Sequence, residues 1–350
     1  MKEINKPNLS RRKFLGTTAS IAAGLTLGVP SISGAPAILK YYNKPNSVIK
    51  GVRVGVITYS FRSMPEQSAE ATLKYILDSG ISNIELMGGP AESFAGKPVN
   101  PVDRRTFFRL MRARRSGEKL TNEQNAEIRE MEAQMYAYNQ EVAKWRSEVS
   151  MDKFVQLRKM YEAAGVKIYG FKPGAFGVTN ADVEIDYGFR AAKALGANHV
   201  TLEHPSDDAH TQKLGKMAKK HKVRVAYHGH TQQTPTFWDT ALEQSKFNML
   251  NPDLGHYVAA GNEAPLALLT AKHKRISSMH LKDRQTPTNG KENKEWGRGD
   301  TPIIEALQLI RDKKYRFPVT VELEYKIPEG SDAVKEVHKC LEYCRKALEG

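Results

Sequence analysis

Short apolar runs alternate with longer amphipathic segments from about residue 52 to the end of the chain. Eight of these runs have the length and composition of buried strands: 52–61, 83–87, 166–172, 199–203, 223–230, 247–253, 276–282 and 317–325. Segments of helical length lie between them, and a last one covers 331–348. Apolar strands separated by helices are typical of a parallel sheet covered by helices. Eight such units predict an α/β fold, a (β/α)8 TIM barrel, over residues 51–350.

Residues 90–150 interrupt this alternation after the second predicted strand and are dense in Arg, Glu, Gln and Met. The pattern predicts a short helix over 104–115. A longer helix, opened by Thr121 and Gln124 as a capping box, is expected to run to about residue 148. An insertion after a barrel strand emerges on the face where barrel active sites are built. It is therefore expected to cover the site, to form a subunit contact, or only to decorate the barrel.

The N-terminus has a different composition from the rest of the chain. Arg11 and Arg12 lie in a charged region, a weakly apolar stretch follows over 16–29, and small residues close it. This order is typical of a secretory signal, too short to span a membrane, and the paired arginines match the twin-arginine type. We predict a twin-arginine signal peptide over 1–37 and a linker over 38–50. The protein is then expected to be exported, in the periplasm, with no stable membrane span.

Composition narrows the function classes. The formal net charge is +14, of which residues 1–35 account for +4, and 40% of the 350 residues are hydrophobic. We interpret the charge as a solvated Lys-rich surface, predict no nucleic-acid partner, and leave a homo-oligomer open. No G-x-G-x-x-G turn follows the first predicted strand, which argues against a dinucleotide cofactor. Cys340 and Cys344, four residues apart on one predicted helix, indicate neither a disulfide framework nor a zinc ribbon.

Residues that can bind a metal mark the ends of five successive predicted strands. In strand order they are Glu203, then His228 and His230, then Asp253 and His256, then His280 and Lys282, then Glu322 and Glu324. The C-terminal ends of barrel strands meet at one rim, so these side chains are expected to converge. Buried carboxylates without partners are costly, which makes a packing role for all of them a poor explanation. We predict a site for one divalent metal ion, with Mn, Zn, Co, Fe and Mg all compatible.

Side chains alternate along a strand, so His228 and His230 share a face, as do Glu322 and Glu324. In each pair only one residue needs to touch the metal. The other can contact a substrate or orient a ligand.

Three phrases at the last strand ends resemble those of the sugar phosphate isomerase/epimerase family, whose fold is the xylose isomerase-like barrel. They are Asp253-Leu-Gly-His256, His280-Leu-Lys-Asp283 and Val321-Glu322-Leu-Glu324-Tyr325. The resemblance covers residues 52–348 without the insertion. It implies one divalent metal held by a Glu, an Asp, a His and a second Glu. Carried over, Asp253, His280 and Glu322 are metal ligands, and His256 contacts substrate hydroxyls.

The first ligand departs from the family pattern. The position of the family's first Glu matches His228, and Glu203, one strand earlier, is the other candidate. The resemblance implies that two glutamates move the substrate proton in the family's epimerases. A histidine at the first position breaks that pair. It disfavours simple epimerisation and favours isomerisation, dehydration, or β-elimination from a keto-sugar.

The resemblance implies a metal-dependent isomerase or lyase that removes an α-proton from a sugar and stabilises the enediolate. Export favours an unphosphorylated sugar, keto-sugar or glycoside. Glu322 is the predicted base if the metal does not wholly engage it, His230 and Lys282 are further acid/base candidates, and Glu324 is a substrate contact. Two alternatives stay open: a non-catalytic exported sugar-binding barrel, and a DNA enzyme similar to the apurinic-site endonucleases.

Overall fold

The computed structural model describes residues 44–350. Its strands are β1 (Val48–Ile49), β2 (Val52–Ile57), β3 (Asn83–Met87), β4 (Lys167–Lys172), β5 (His199–Glu203), β6 (Arg224–His228), β7 (Asn248–Asn251), β8 (Met279–Leu281), β9 (Asp283–Arg284), β10 (Asn293–Lys294) and β11 (Val319–Val321). Eight of them run parallel in the order β7-β6-β5-β4-β3-β2-β11-β8. Isolated parallel bridges, Leu250 to Ile276 and Asp253 to His280, join the two ends of that row. The predicted (β/α)8 barrel is confirmed.

Helices cover the outside of the barrel. They are α1 (Ala69–Asp78), α2 (Gly88–Phe94), α3 (Arg104–Arg115), α4 (Asn122–Glu148), α5 (Asp152–Ala163), α6 (Asp182–Ala194), α7 (Asp208–His221), α8 (Asp239–Gln244), α9 (Leu254–Ala259), α10 (Pro265–Lys272), α11 (Ile303–Asp312) and α12 (Ala333–Glu349). Outside the insertion helices α3 and α4, their apolar faces pack on the barrel because an amphipathic helix must bury that face. In α12, for example, the buried residues include Val337, Leu341 and Cys344.

Several strands are shorter than their apolar runs. The first run, 52–61, is a strand only to Ile57 and continues as a 3-10 turn, Thr58–Phe61. The last run, 317–325, is a strand only over Val319–Val321. At the rim the backbone turns away from the barrel, and hydrogen bonds to side chains replace those between strands. The Met87 N–H, for instance, donates to Thr58 Oγ1 at 3.0 Å. Apolar composition marks burial, whereas strand pairing ends where the backbone turns away.

A polar layer lies inside the barrel, beneath the ends of the strands. Tyr169 Oη and Thr320 Oγ1 are 2.7 Å apart, and His199 Nε2 is 2.9 Å from Ser278 Oγ. All four side chains are buried. Each finds a partner across the barrel because a buried polar group without a hydrogen bond is costly. This layer supports the side chains that reach the mouth.

The insertion forms a helical hairpin of α3 and α4, and the predicted helix over 104–115 is confirmed. The predicted capping box is confirmed as well: Thr121 Oγ1 accepts from the Gln124 N–H, and the Gln124 side chain accepts from the Thr121 N–H. Near the end of α4, Arg146 donates to Glu184 at 2.8 Å and lies 3.6 Å from Glu92. Both carboxylates belong to barrel helices. The far end of α4 therefore ties the hairpin to the barrel.

The predicted signal peptide and residues 38–43 of the predicted linker lie outside the described residues. Over residues 44–350, no helix is both long and apolar enough to span a membrane.

Candidate metal centre

Four buried side chains converge at the C-terminal mouth of the barrel. They are His228 at the end of β6, Asp253 just after β7, His280 in β8 and Glu322 just after β11. One ligand atom from each lies within 4.8 Å of the others. The exposed fraction of each residue is 6% or less. Four successive barrel strands thus deliver two imidazoles and two carboxylates to one point, as the strand-end pattern predicts.

The ring of His228 is held from below by a chain of side chains. Its Nδ1 lies 2.8 Å from Asn251 Oδ1, and the Asn251 amide donates to Ser278 Oγ at 2.7 Å. Burial, followed by the charge of His280, keeps the pKa of His228 well below its ordinary value. His228 is therefore a neutral imidazole, the form that binds metals. Its other nitrogen, Nε2, is left for the cluster.

His280 is fixed by two carboxylates. Its Nε2 lies 3.0 Å from Glu85 Oε2 and its Nδ1 2.8 Å from Glu322 Oε2. Burial alone would lower the pKa of His280, but Glu85 and Glu322 raise it to about 10. Glu85 in turn accepts from the Thr201 hydroxyl at 2.6 Å. A carboxylate behind a ligand histidine fixes the ring and raises its basicity.

Asp253 is placed by the helix that it caps. Its Oδ1 accepts from the His256 N–H at 2.8 Å, at the start of α9. A Cβ on Gly255 would lie 2.4 Å from Lys282 Cγ and 2.6 Å from Lys282 O, so only glycine lets the two segments approach. The phrase Asp253-Leu-Gly-His256 therefore sets both a ligand and the histidine above it.

The residues present fit a divalent cation. Asp253 Oδ2 is buried and accepts no hydrogen bond from the residues described, although Lys282 Nζ lies 3.1 Å away. A buried carboxylate oxygen without a hydrogen bond needs another partner, and a metal ion supplies one. Two imidazoles and two carboxylates are a donor set found with Zn, Mn, Fe and Co. His228, Asp253, His280 and Glu322 would hold the ion.

Lys282 lies on one side of the cluster. Its ammonium is 2.8 Å from Glu322 Oε2, 2.6 Å from Glu324 Oε2 and 3.1 Å from His256 Nε2. Burial would lower the pKa of Lys282, but Asp253 and the two glutamates raise it above its ordinary value. Burial, then the charge of Lys282, lowers the pKa of His256 to about 2. A charged amine, which donates, thus lies beside a neutral imidazole, and both groups are suited to contact the hydroxyls of a sugar.

Glu203 lies on the other side, away from the four clustered ligands. Its Oε1 is 2.8 Å from Lys172 Nζ, its Oε2 is 3.5 Å from His230 Nε2, and its side chain is 48% exposed. His230 is half-exposed and its ring centre is 4.7 Å from that of His256. Of the two candidates for the first ligand, the structure brings His228 into the cluster and leaves Glu203 beside Lys172.

Three polar residues of this site were not singled out from the sequence: Glu85, Lys172 and Asn251. Lys172 ends β4, so a search for charged residues at strand ends, as made for the later strands, would have found it. Glu85 is a lone carboxylate inside an apolar strand, which is itself a signal of a buried partner. Asn251 ends β7 next to Pro252 and has no distinguishing pattern in the sequence.

Asp283 completes the His280-Leu-Lys-Asp283 phrase with a structural role. Its carboxylate accepts from the backbone N–H groups of Gly297, Arg298, Gly299 and Thr301. These bonds fold the loop after β8 back over the barrel rim. The phrase therefore supplies a ligand, a charged amine and a loop anchor.

The chain matches a known family, and its fold matches solved structures. Residues 128–344 match the model of the family described as xylose isomerase-like TIM barrel. No curated protein sequence matches the chain. A xylose isomerase domain protein from Planctomyces limnophilus is 15% identical, with a TM-score of 0.54 over 87% of this chain and 98% of that one.

Two enzymes of known activity share the fold at 10% identity. D-psicose 3-epimerase from Clostridium cellulolyticum H10 has a TM-score of 0.55 and covers 85% of this chain and 99% of its own. The 3-keto-D-glucoside 4-epimerase of E. coli has a TM-score of 0.54, over 84% of this chain and 99% of its own. At such identities these likenesses show the fold alone. With the family model matching more than half of its residues, this chain belongs to the xylose isomerase-like TIM-barrel family.

Proposed function

We propose that this protein is an exported, metal-dependent isomerase or lyase that removes an α-proton from an unphosphorylated sugar, keto-sugar or glycoside. The observation that carries the proposal is the buried His228–Asp253–His280–Glu322 cluster, with proton-carrying side chains on both sides. Enzymes that share the fold act, by their names, on D-psicose and on a 3-keto-D-glucoside. Both substrates contain a carbonyl next to a carbon that bears hydrogen, which supports a carbonyl substrate here.

A divalent cation in the cluster would polarise the substrate carbonyl as a Lewis acid. Lys282 and His256 act from one side of the mouth. The Lys282 ammonium donates to the carbonyl or hydroxyl oxygen that gains negative charge as the α-proton leaves. Neutral His256 and the carboxylate of Glu324, 2.6 Å from Lys282 Nζ, bind neighbouring hydroxyls.

Glu322 is better suited to hold a metal than to take a proton. Burial would raise its pKa, but Lys282 and His280 hold the pKa well below its ordinary value. Such a carboxylate is a weak base. His230 is half-exposed, lies 3.5 Å from Glu203 and faces His256 across the mouth. We assign the proton transfer to His230, with Glu203 and Lys172 orienting it.

The composition of the cluster supports isomerisation or elimination over epimerisation. Glu322 is the only glutamate among the four clustered residues, and His228 is turned into the metal site by Asn251. The four clustered residues therefore do not provide two equivalent bases on opposite faces of one substrate carbon. In the elimination, the α-C–H bond breaks, its electron pair forms the carbon–carbon double bond, and the glycosidic C–O bond breaks. His230 takes the α-proton and gives a proton to the departing oxygen, which yields an alcohol and an unsaturated keto-sugar.

The test combines metal analysis with a substrate panel. Purified protein is expected to bind one divalent ion and to convert ketoses or 3-keto-glycosides, followed by NMR in D2O so that exchange of the α-proton is visible. His230→Gln should lower kcat about 100-fold and leave the metal content unchanged. Cleavage of plasmid carrying abasic sites would identify a DNA enzyme instead. Sugar binding without turnover or α-proton exchange would identify a non-catalytic binding barrel.

A further inference from the structure

Helix α3 concentrates positive charge in the described chain. It carries six arginines and no acidic residue in twelve positions. The net charge of residues 44–350 is +9, the chain's +14 less the +5 of residues 1–43. Most of the excess charge of this part of the protein therefore lies on a single helix. A surface of this kind attracts anions strongly at low salt.

These arginines are almost all without acidic partners. Every one of the six is exposed. Arg114 pairs with Glu132 of α4 at 2.9 Å. No ion pair joins the other five to any residue of 44–350. Five of the six guanidinium groups therefore have no ion-pair partner in 44–350 and are available to a binding partner.

Large apolar side chains lie among the arginines. Phe108 is 56% exposed, and the guanidinium of Arg104 lies over its ring at 5.4 Å. Phe107, Phe108 and Met111, with Arg112 and Arg115, line a cavity of about 280 Å³. Leu110 is the one fully buried residue of α3. Phe108 is thus not taken up by packing, Phe107 is half-buried beside it, and exposed aromatics in a charged patch mark an interaction surface.

The position of α3 favours a flat partner. It packs on α4, and none of its side chains makes a hydrogen bond or ion pair with the barrel within 44–350. A single helix on a hairpin presents a convex surface about 18 Å long. Proteins that bind single-stranded nucleic acid hold it in a groove, and α3 does not form a groove. No Asp, Glu, Asn or Gln occurs between residues 104 and 115, so carboxylate and amide acceptors for base edges or sugar hydroxyls are missing there.

We propose that α3 docks the protein on a bilayer of anionic phospholipid, with the arginines on headgroup phosphates and Phe107 and Phe108 at the acyl boundary. Guanidinium groups match phosphate geometry, and their long stems cover apolar surface while the charge stays in water. Basic helices with exposed Phe bind membrane surfaces in this way without spanning them. The proposal is independent of the catalytic site, which lies at the barrel mouth.

The test is vesicle co-sedimentation of the full chain. The vesicles contain phosphatidylcholine alone or phosphatidylcholine mixed with phosphatidylglycerol. The test variant is Arg105→Gln/Arg109→Gln/Arg112→Gln. A matched control, Lys216→Gln/Lys219→Gln/Lys246→Gln, removes the same charge from exposed lysines without ion pairs in 44–350. Any binding of vesicles through another segment is the same in the wild type, the α3 variant and the lysine control.

The wild type should bind the anionic vesicles and be released by salt. The α3 variant should bind about 100-fold more weakly, and the lysine control should resemble the wild type. Phe108→Ser should weaken binding about tenfold with an unchanged salt dependence. Equal binding of the α3 variant and the lysine control would overturn the proposal. So would retention of heparin or single-stranded DNA through α3 by a protein that ignores the vesicles, or loss of self-association in the α3 variant without any effect on vesicle binding.

Discussion

Asn251 fixes His228 in one tautomer. The Asn251 Nδ2 donates to Ser278 Oγ at 2.7 Å and to Ser278 O at 3.2 Å. A backbone carbonyl can only accept, so the amide cannot be reversed. Asn251 Oδ1 therefore faces His228 Nδ1 at 2.8 Å, and that nitrogen must carry the proton. The lone pair of His228 is on Nε2, directed away from Asn251.

Replacing Asn251 should weaken metal binding. Asn251→Leu removes the acceptor that fixes the tautomer, so we expect the affinity for Mn²⁺ or Zn²⁺ to fall about 10- to 100-fold, measured by titration against a competing chelator. Ser278→Ala is the control, since it keeps the carbonyl that orients the amide, and a smaller loss is expected. Equal losses in the two variants would mean that general loosening of the barrel, not the tautomer, sets the affinity.

Asp253 and Glu203 should differ in their effect on metal content. Asp253→Asn removes a clustered carboxylate. We expect the purified variant to contain much less than one metal ion per chain, measured by inductively coupled plasma mass spectrometry. Glu203→Gln should keep it, because Glu203 pairs with Lys172 outside the cluster. Metal loss on Glu203→Gln would instead make Glu203 a ligand, which would need a rearrangement of its pair with Lys172.

Arg146 should be a strong stability determinant of the hairpin. Its side chain is 6% exposed and pairs with Glu184 and Glu92, so Arg146→Met leaves the Glu184 carboxylate without its cation and leaves Glu92 with Lys97 alone. We expect a loss of about 3 to 5 kcal/mol in the free energy of unfolding, measured with urea. The control Arg114→Gln breaks an exposed pair with Glu132 and should cost about 0.5 kcal/mol or less. Similar losses in both variants would contradict this interpretation.

His199 should make the protein less stable in acid. Burial lowers its pKa to about 4 from an ordinary value of 6.5. Between these two values the unfolded chain binds a proton that the folded protein does not, so stability falls as the pH falls. The contribution reaches about 3 kcal/mol at pH 4. His199→Gln should flatten the pH dependence of the unfolding free energy over this range, measured with a chelator present. A slope identical to that of the wild type would assign the acid sensitivity to other groups.

The candidate site could be predicted from the sequence because barrel topology brings the strand ends together. Parallel strands of one barrel end at one rim, and His228, Asp253, His280 and Glu322 each occupy such an end. The choice between His228 and Glu203 was not accessible. Both lie at strand ends, and adjacent strands bring them to neighbouring positions, as the pairing of Glu203 with His228 in the β5–β6 register shows.

The sequence by itself determined the eight strand–helix units, the insertion with its capped second helix, and the rim at which the polar residues meet. These follow from periodicity and from local hydrogen bonding, which act between near neighbours in the chain. Only the tertiary structure decided that Glu85 holds His280, that Lys282 lies among three carboxylates, and that Asn251 orients His228. Glu85 and His280 are 195 residues apart, and which of several polar side chains meet across a barrel depends on the register and tilt of every strand between them.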